Sequence, residues 1–127
     1  MRLYVAGPLF SEAERSWLDM LAARLRTADF DCFVPHEHFP ELADVTVEAV
    51  YRIDSEGLRS ADALVAWLDG AMVDDGTACE IGMFHALMQS DPSKKGIVGL
   101  LTDIRGTRGE STGVNLFVQG AIEDVGR

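Results

Sequence analysis

Residues 61–82, "ADALVAWLDGAMVDDGTACEIG", carry the reading that decides the fold. Their first part, "ADALVAWLD", is an apolar run of strand length and the clearest buried strand in the chain. An acidic turn follows, and a helix is expected from about Thr77 to Gln89. The turn and helix start, residues 73–82, hold three carboxylates, two glycines and a threonine. Thr77 and Glu80 have the spacing of a capping box, in which the threonine caps the backbone and the glutamate reaches back. A carboxylate at the mouth between a strand and a helix is also placed for chemistry. From the local pattern the two readings stand level, and they are compatible, because the helix dipole stabilises an anion there.

Working outward, the same strand–helix alternation recurs. "RLYVAG" reads as a strand closed by the Gly7-Pro8 turn. Ser11 with Glu14 forms a capping box, and Trp17, Leu18, Leu21 and Leu25 fall on one face of the helix it starts. "DCFVP" is a second strand ended by Pro35. "HEHFPELAD" is a polar connection, and Val47, Val50, Ile53 and Leu58 predict a helix up to about Ser60. "GIVGLL" is a further strand. This order predicts an α/β, doubly wound, mostly parallel sheet of four to five strands, with helices on both faces and ligands at the carboxyl ends of the strands. Those ends carry "AGPLF", "VPHEH", "LDGAMVDDGT" and "LTDIRGTRGES", where polar chemistry concentrates. The chain closes with "AIEDVGR", and a fifth strand has no sequence support of its own.

The 127 residues, 47% hydrophobic and 25% charged, are expected to fold as one domain spanning 1–127. A net charge of −10 argues against a nucleic-acid polymer as partner, because such binding rests on cationic side chains. Two cysteines make no disulfide framework and suit a reducing compartment. The sequence shows neither a signal-peptide h-region nor an apolar stretch long enough for a membrane span, so a cytoplasmic location without membrane attachment is expected.

An ionised, positioned carboxylate can attack a sugar carbon and form a covalent glycosyl-enzyme, as in retaining glycosyl transfer. Glu80 suits that role, and Asp74, six residues earlier, is placed to bind sugar hydroxyls. Asp54 is a candidate proton donor to a leaving base, although as a lone helix carboxylate the solvated reading is favoured two to one.

Four segments together resemble the nucleoside 2-deoxyribosyltransferase family: "LYVAGPLF", "IDSEGLRSADALVAWLDG", "DDGTACEIG" and "NLFVQGAI". They occur in the family's order and cover most of the chain. The resemblance implies that Glu80, in the segment from Asp74 to Gly82 that also holds Gly76, is the nucleophile at C1′. It implies that Asp74 holds the deoxyribose and that Asp54 contacts and protonates the base. Tyr4 would orient the nucleophile, although a core aromatic is the plainer reading of a strand tyrosine. Gly7 and Phe10 would line the base pocket, the glycine permitting close backbone approach. Asn115 would complete a neighbouring subunit's site, which implies a homodimer or larger homo-oligomer. The expected substrates are a nucleoside and a free nucleobase, with no cofactor and no metal.

The alternative is hydrolysis of the same bond, in nucleosides or in nucleoside 5′-monophosphates. Phosphate-using relatives have a glycine- and arginine-rich loop after the first strand, which "AGPLFSEAER" lacks. Arg105, Arg108 and Ser111 are candidate phosphate contacts, with a solvated loop the plainer reading. A non-catalytic nucleotide-sensing module of the same shape is a third possibility, disfavoured by the joint presence of Glu80 and Asp74. His36 and His38 in one loop make a poor zinc signature. His85 reads as packed or capped, Cys79 as a small buried filler, and Trp17 and Trp67 as core.

Overall fold

The structure, a computed structural model, describes residues 1–39, 41–103 and 113–124. Four strands, β1 (Arg2–Ala6), β2 (Asp31–Phe33), β3 (Ala63–Trp67) and β4 (Gly96–Leu100), alternate with helices α1 (Glu12–Thr27), α2 (Val47–Ser60) and α3 (Asp75–Ser90). A last helix, α4 (Leu116–Asp124), closes the described chain. The sheet is parallel throughout, in the order β2-β1-β3-β4. The doubly wound architecture is therefore the observed one, with four strands among the described residues. The chain winds outward in one direction from β1 and in the other from β3. Their carboxyl ends flank the crevice where such sheets bind ligands.

Alternation along the strands divides the core into two layers. Leu3, Val5, Cys32, Val34, Ala63 and Val65 pack against Leu18 and Ala22 of α1. Tyr4, Ala6, Phe33, Leu64 and Ala66 face the other way, against Leu58 of α2 and Ile81 and Phe84 of α3. Ala121 and Ile122 of α4 pack on that same side. Trp17 and Trp67 stack at 4.4 Å between centroids, joining α1 to β3.

The capping signals act as the sequence predicts for α1, where Ser11 and Glu14 make the reciprocal capping box. They act differently at α3. The helix begins at Asp75 with Asp74 as its cap, whose carboxylate accepts from the Thr77 amide at 2.9 Å. Thr77 is thus inside the helix, and Glu80 takes no part in capping. Three further expectations change. Cys79 is exposed rather than a buried filler, because it lies on the cleft side of α3. "NLFVQGAI", assigned no element from the sequence, begins the helix α4. Two short 3₁₀ turns, Pro35–His38 and Leu42–Asp44, bracket the polar connection "HEHFPELAD", the first beginning on the residue before it. Arg105, Arg108 and Ser111 lie outside the described residues.

The end of the sheet away from the crevice is fastened by Lys94, whose side chain is only 5% exposed. Its ammonium donates to the carbonyls of Arg59 at 2.5 Å and Ala61 at 2.6 Å, satisfying the orphan end of α2. It also lies 5.7 Å from the Phe84 ring centroid. Lys94→Met keeps the stem and removes the donors, leaving those two carbonyls without this partner. The expected loss is about 1–3 kcal/mol of unfolding free energy, read by chemical denaturation.

Candidate active site

The second core layer ends in polar groups at the mouth of the crevice. Tyr4 is fully buried on β1, and its hydroxyl crosses to α3 to donate to Glu80 Oε1 at 2.5 Å. Asp54, on the neighbouring helix α2, lines the same cleft as Glu80. The cleft has a volume of about 520 Å³ and runs between α2 and α3. Its walls are largely apolar, from Val47, Val50, Tyr51 and Met83. Among the described residues no lysine or arginine lines it.

The two cleft carboxyls have different environments. Burial pushes the Glu80 carboxyl up to about 8, the nearby Asp54 and Asp74 charges add to this, and the Tyr4 hydrogen bond opposes it. Burial pushes Asp54 up to about 6. Asp54 Oδ1 is buried with no hydrogen-bond partner among the described residues. An unpaired buried oxygen is costly, and more so when charged, in keeping with the raised Asp54 carboxyl; the residue itself lines the cleft. Burial, followed by the charges of Glu80 and Asp54, drives the Tyr4 phenol far above its ordinary range. Tyr4 therefore remains a donor, which favours the ionised form of Glu80.

The other candidate residues divide by position. Asp74 caps α3 with one oxygen, Oδ2, which accepts from both the amide and the hydroxyl of Thr77. Gly76 lines the cleft, and a β-carbon on it would lie 3.2 Å from that same oxygen, so glycine leaves room for the cap. Gly7 follows the end of β1, and a β-carbon there would meet Leu18 at 2.9 Å and Trp67 at 3.2 Å. Its missing side chain therefore serves the close approach of α1 to β3. Phe10 is 75% exposed in the loop after β1 and does not line the cleft. Asn115 caps α4, its side-chain oxygen accepting from the amides of Phe117 at 2.9 Å and Val118 at 3.4 Å, and it too lies outside the cleft lining. Beside it, Leu116 and Phe117 are strongly exposed.

Asp69 is a structural tie near the site that the sequence reading missed. It follows β3 and accepts from the amides of Thr102 and Asp103, and from the Thr102 hydroxyl, after β4. Burial would raise its carboxyl, but these hydrogen bonds hold it below the usual range. It thereby fastens the two loops at the carboxyl end of the sheet. An aspartate directly before a glycine at a strand end was the available signal. Among the described residues, no cluster of three or more histidine, cysteine or acidic side chains has metal-binding geometry. His36 pairs with Asp19 and His85 with Asp124, at 2.7 and 2.9 Å. Among those residues, too, no helix is long and apolar enough to cross a membrane.

A family model described as nucleoside 2-deoxyribosyltransferase matches residues 3–118. A search of curated proteins gave no match. Among solved structures, a conserved protein from Enterococcus faecalis is 28% identical, with a TM-score of 0.80, over 100% of this chain and 89% of that one. The 2-deoxyribosyltransferase of Bacillus psychrosaccharolyticus is 24% identical, with a TM-score of 0.74, over 100% of this chain and 91% of the other. A CMP N-glycosidase from Clostridium botulinum shares the fold at 22% identity and a TM-score of 0.58, over 91% of this chain and 86% of its own.

Proposed function

The chain belongs to the nucleoside 2-deoxyribosyltransferase family, and on that premise we propose that it moves a 2-deoxyribosyl group between nucleobases through a covalent intermediate on Glu80. The observation that carries this reading is Glu80 and Asp54 lining one cleft between α2 and α3, with the buried Tyr4 hydroxyl held on Glu80 from behind.

A Glu80 oxygen attacks C1′ through an oxocarbenium-like transition state. The glycosidic electron pair leaves with the base nitrogen, which takes the proton of Asp54. The departing base is replaced by a second one, whose ring nitrogen attacks C1′ from the same face and expels the Glu80 carboxylate. Its surplus proton returns to Asp54, so charge and protons balance over the cycle and configuration is retained. Tyr4 holds the carboxylate oxygen during both attacks, and Asp74 is assigned to the sugar hydroxyls. The apolar walls suit the faces of a nucleobase. A cleft edged by carboxylates and lined, among the described residues, by no cation suits an uncharged nucleoside better than a 5′-monophosphate.

A homo-oligomer in which Asn115 completes a neighbour's site belongs to the same proposal, supported by the exposed Leu116 and Phe117 beside it. A cytoplasmic role in nucleoside salvage fits it as well. The second reading is hydrolysis, where water resolves the same intermediate; the N-glycosidase among the structural neighbours has this fold.

The deciding experiment incubates the protein with a panel of 2′-deoxynucleosides, with and without a second free base, and separates the products chromatographically. A new nucleoside that forms only with the acceptor is the expected result. Free base without a new nucleoside would assign hydrolysis instead, and the panel would then be repeated with 5′-monophosphates. No product from either panel would overturn the enzymatic reading.

A further inference from the structure

The hydroxyl of Tyr4 is fixed to Glu80, but the plane of its ring is held from the opposite side, by a residue outside the cleft lining. Phe33, at the end of β2, stacks on Tyr4 with ring centroids 5.1 Å apart and planes 18° from parallel. The same Phe33 ring stacks on His38 at 4.2 Å and 16°. Gly57 of α2 makes room for it, since a β-carbon there would lie 2.7 Å from Phe33 Cε1 and Cζ. Three near-parallel rings thus run from an exposed histidine at the surface to the hydroxyl that grips Glu80. Only a glycine on α2 lets Phe33 take this position.

We propose that Phe33, seated against Gly57, is a positioning residue for the reaction, acting on Glu80 through the ring of Tyr4. This rests on the reading of Glu80 as nucleophile and goes beyond it by assigning a role to a side chain that touches no substrate. Ring stacking fixes the Tyr4 plane, the plane fixes where the hydroxyl points, and the hydroxyl fixes the attacking oxygen. A displacement of about 1 Å at a reacting atom can cost on the order of 100-fold in rate. The charged and titratable groups around this chain are Asp54 from α2, Asp74 from the start of α3, and Arg2 and His38 beside Phe33.

The test compares Phe33→Leu, Gly57→Ala, Tyr4→Phe and the Phe33→Leu/Tyr4→Phe double variant, with Glu80→Gln as reference. Phe33→Leu removes the stacking ring, and Gly57→Ala displaces it, so a folding failure in one leaves the other as the probe. Each is expected to lower kcat about 10- to 100-fold with KM nearly unchanged. The alkaline limb of the kcat/KM profile, which follows Glu80, should move upward, as it should in Tyr4→Phe, because a weakened hydrogen bond stabilises ionised Glu80 less. The double variant should be no slower than Tyr4→Phe alone, since the two residues act in series.

Additive losses, an unmoved pH profile or a change confined to KM or thermal stability would overturn the positioning role. An active Glu80→Gln enzyme would overturn the nucleophile assignment on which it rests, which is a separately readable failure.

Discussion

Glu80→Gln is expected to abolish turnover while leaving the fold intact, and to make the protein more stable in alkaline buffer. The activity loss is expected to be on the order of 10⁴-fold or more, because an amide cannot form the glycosyl ester and no second carboxylate occupies its position. The stability effect follows from burial. The carboxyl titrates near 8 in the folded chain, against an ordinary value of 4.5. Below the ordinary value both folded and unfolded chains hold the proton, and the group has no effect. Between the two values the unfolded chain releases its proton and the folded chain does not, so stability falls as pH rises. Above about pH 8 the full cost of a buried charge is present. A neutral amide at this position carries no such cost, so the variant should match the parent near pH 4. At pH 9 it should exceed the parent by an amount on the order of a few kcal/mol. Thermal melts at the two pH values, beside the product assay, check both halves. A variant that is inactive because it is unfolded would show no alkaline gain.

Asp54→Asn should reshape the pH profile as well as the rate. The proposed mechanism needs Glu80 ionised and Asp54 protonated, while burial favours the reverse arrangement. That working form is a minor species whose share is greatest between the two titrations. kcat/KM should therefore be bell-shaped, with limbs near 6 and near 8 that belong to the pair rather than to either residue. Removing the Asp54 acid removes the alkaline fall. Activity should then only rise with pH, and at a lower pH than the parent's upper limb, because the Asp54 charge no longer holds Glu80 protonated. The rate should drop about 10²- to 10⁴-fold for donors whose base leaves poorly, and less for donors whose base leaves without help. An unchanged bell, or a loss equal for all donors, would remove Asp54 from proton transfer.

The chemistry that these variants probe was only partly visible in the chain. Glu80 and Asp54 are twenty-six positions apart, and as isolated residues each had an ordinary structural reading. The family resemblance singled them out, and the fold brings them to one cleft because α2 and α3 pack side by side on the same face of the sheet. Tyr4 had a plain reading as a core aromatic, and it is one. Its ring is in the core, and only its hydroxyl emerges at Glu80. The misread helix start at Thr77 has a simple physical origin. Asp74 and Thr77 are both good capping residues, and which one caps depends on where the chain leaves β3. Cys79 was judged by its type, a small apolar residue, whereas its exposure is set by the empty space between two helices.

By itself the sequence determined what local rules govern. Apolar runs of strand length alternating with amphipathic helices are sufficient to require a parallel, doubly wound sheet, because only that arrangement buries both kinds of apolar surface and connects them in order. The Ser11–Glu14 capping box placed the start of α1 for the same reason, since a cap acts over one turn of chain, and apolar spacing placed α2. Tertiary structure alone decided the groups that meet across elements: the Tyr4 hydroxyl on Glu80, Asp54 beside Glu80 at one cleft, Phe33 stacked on Tyr4 against Gly57, and Asp69 tying the end of β3 to the loop after β4. Burial and proximity in three dimensions set proton affinities and ring planes, and neither has a period or a spacing that a one-dimensional pattern can display.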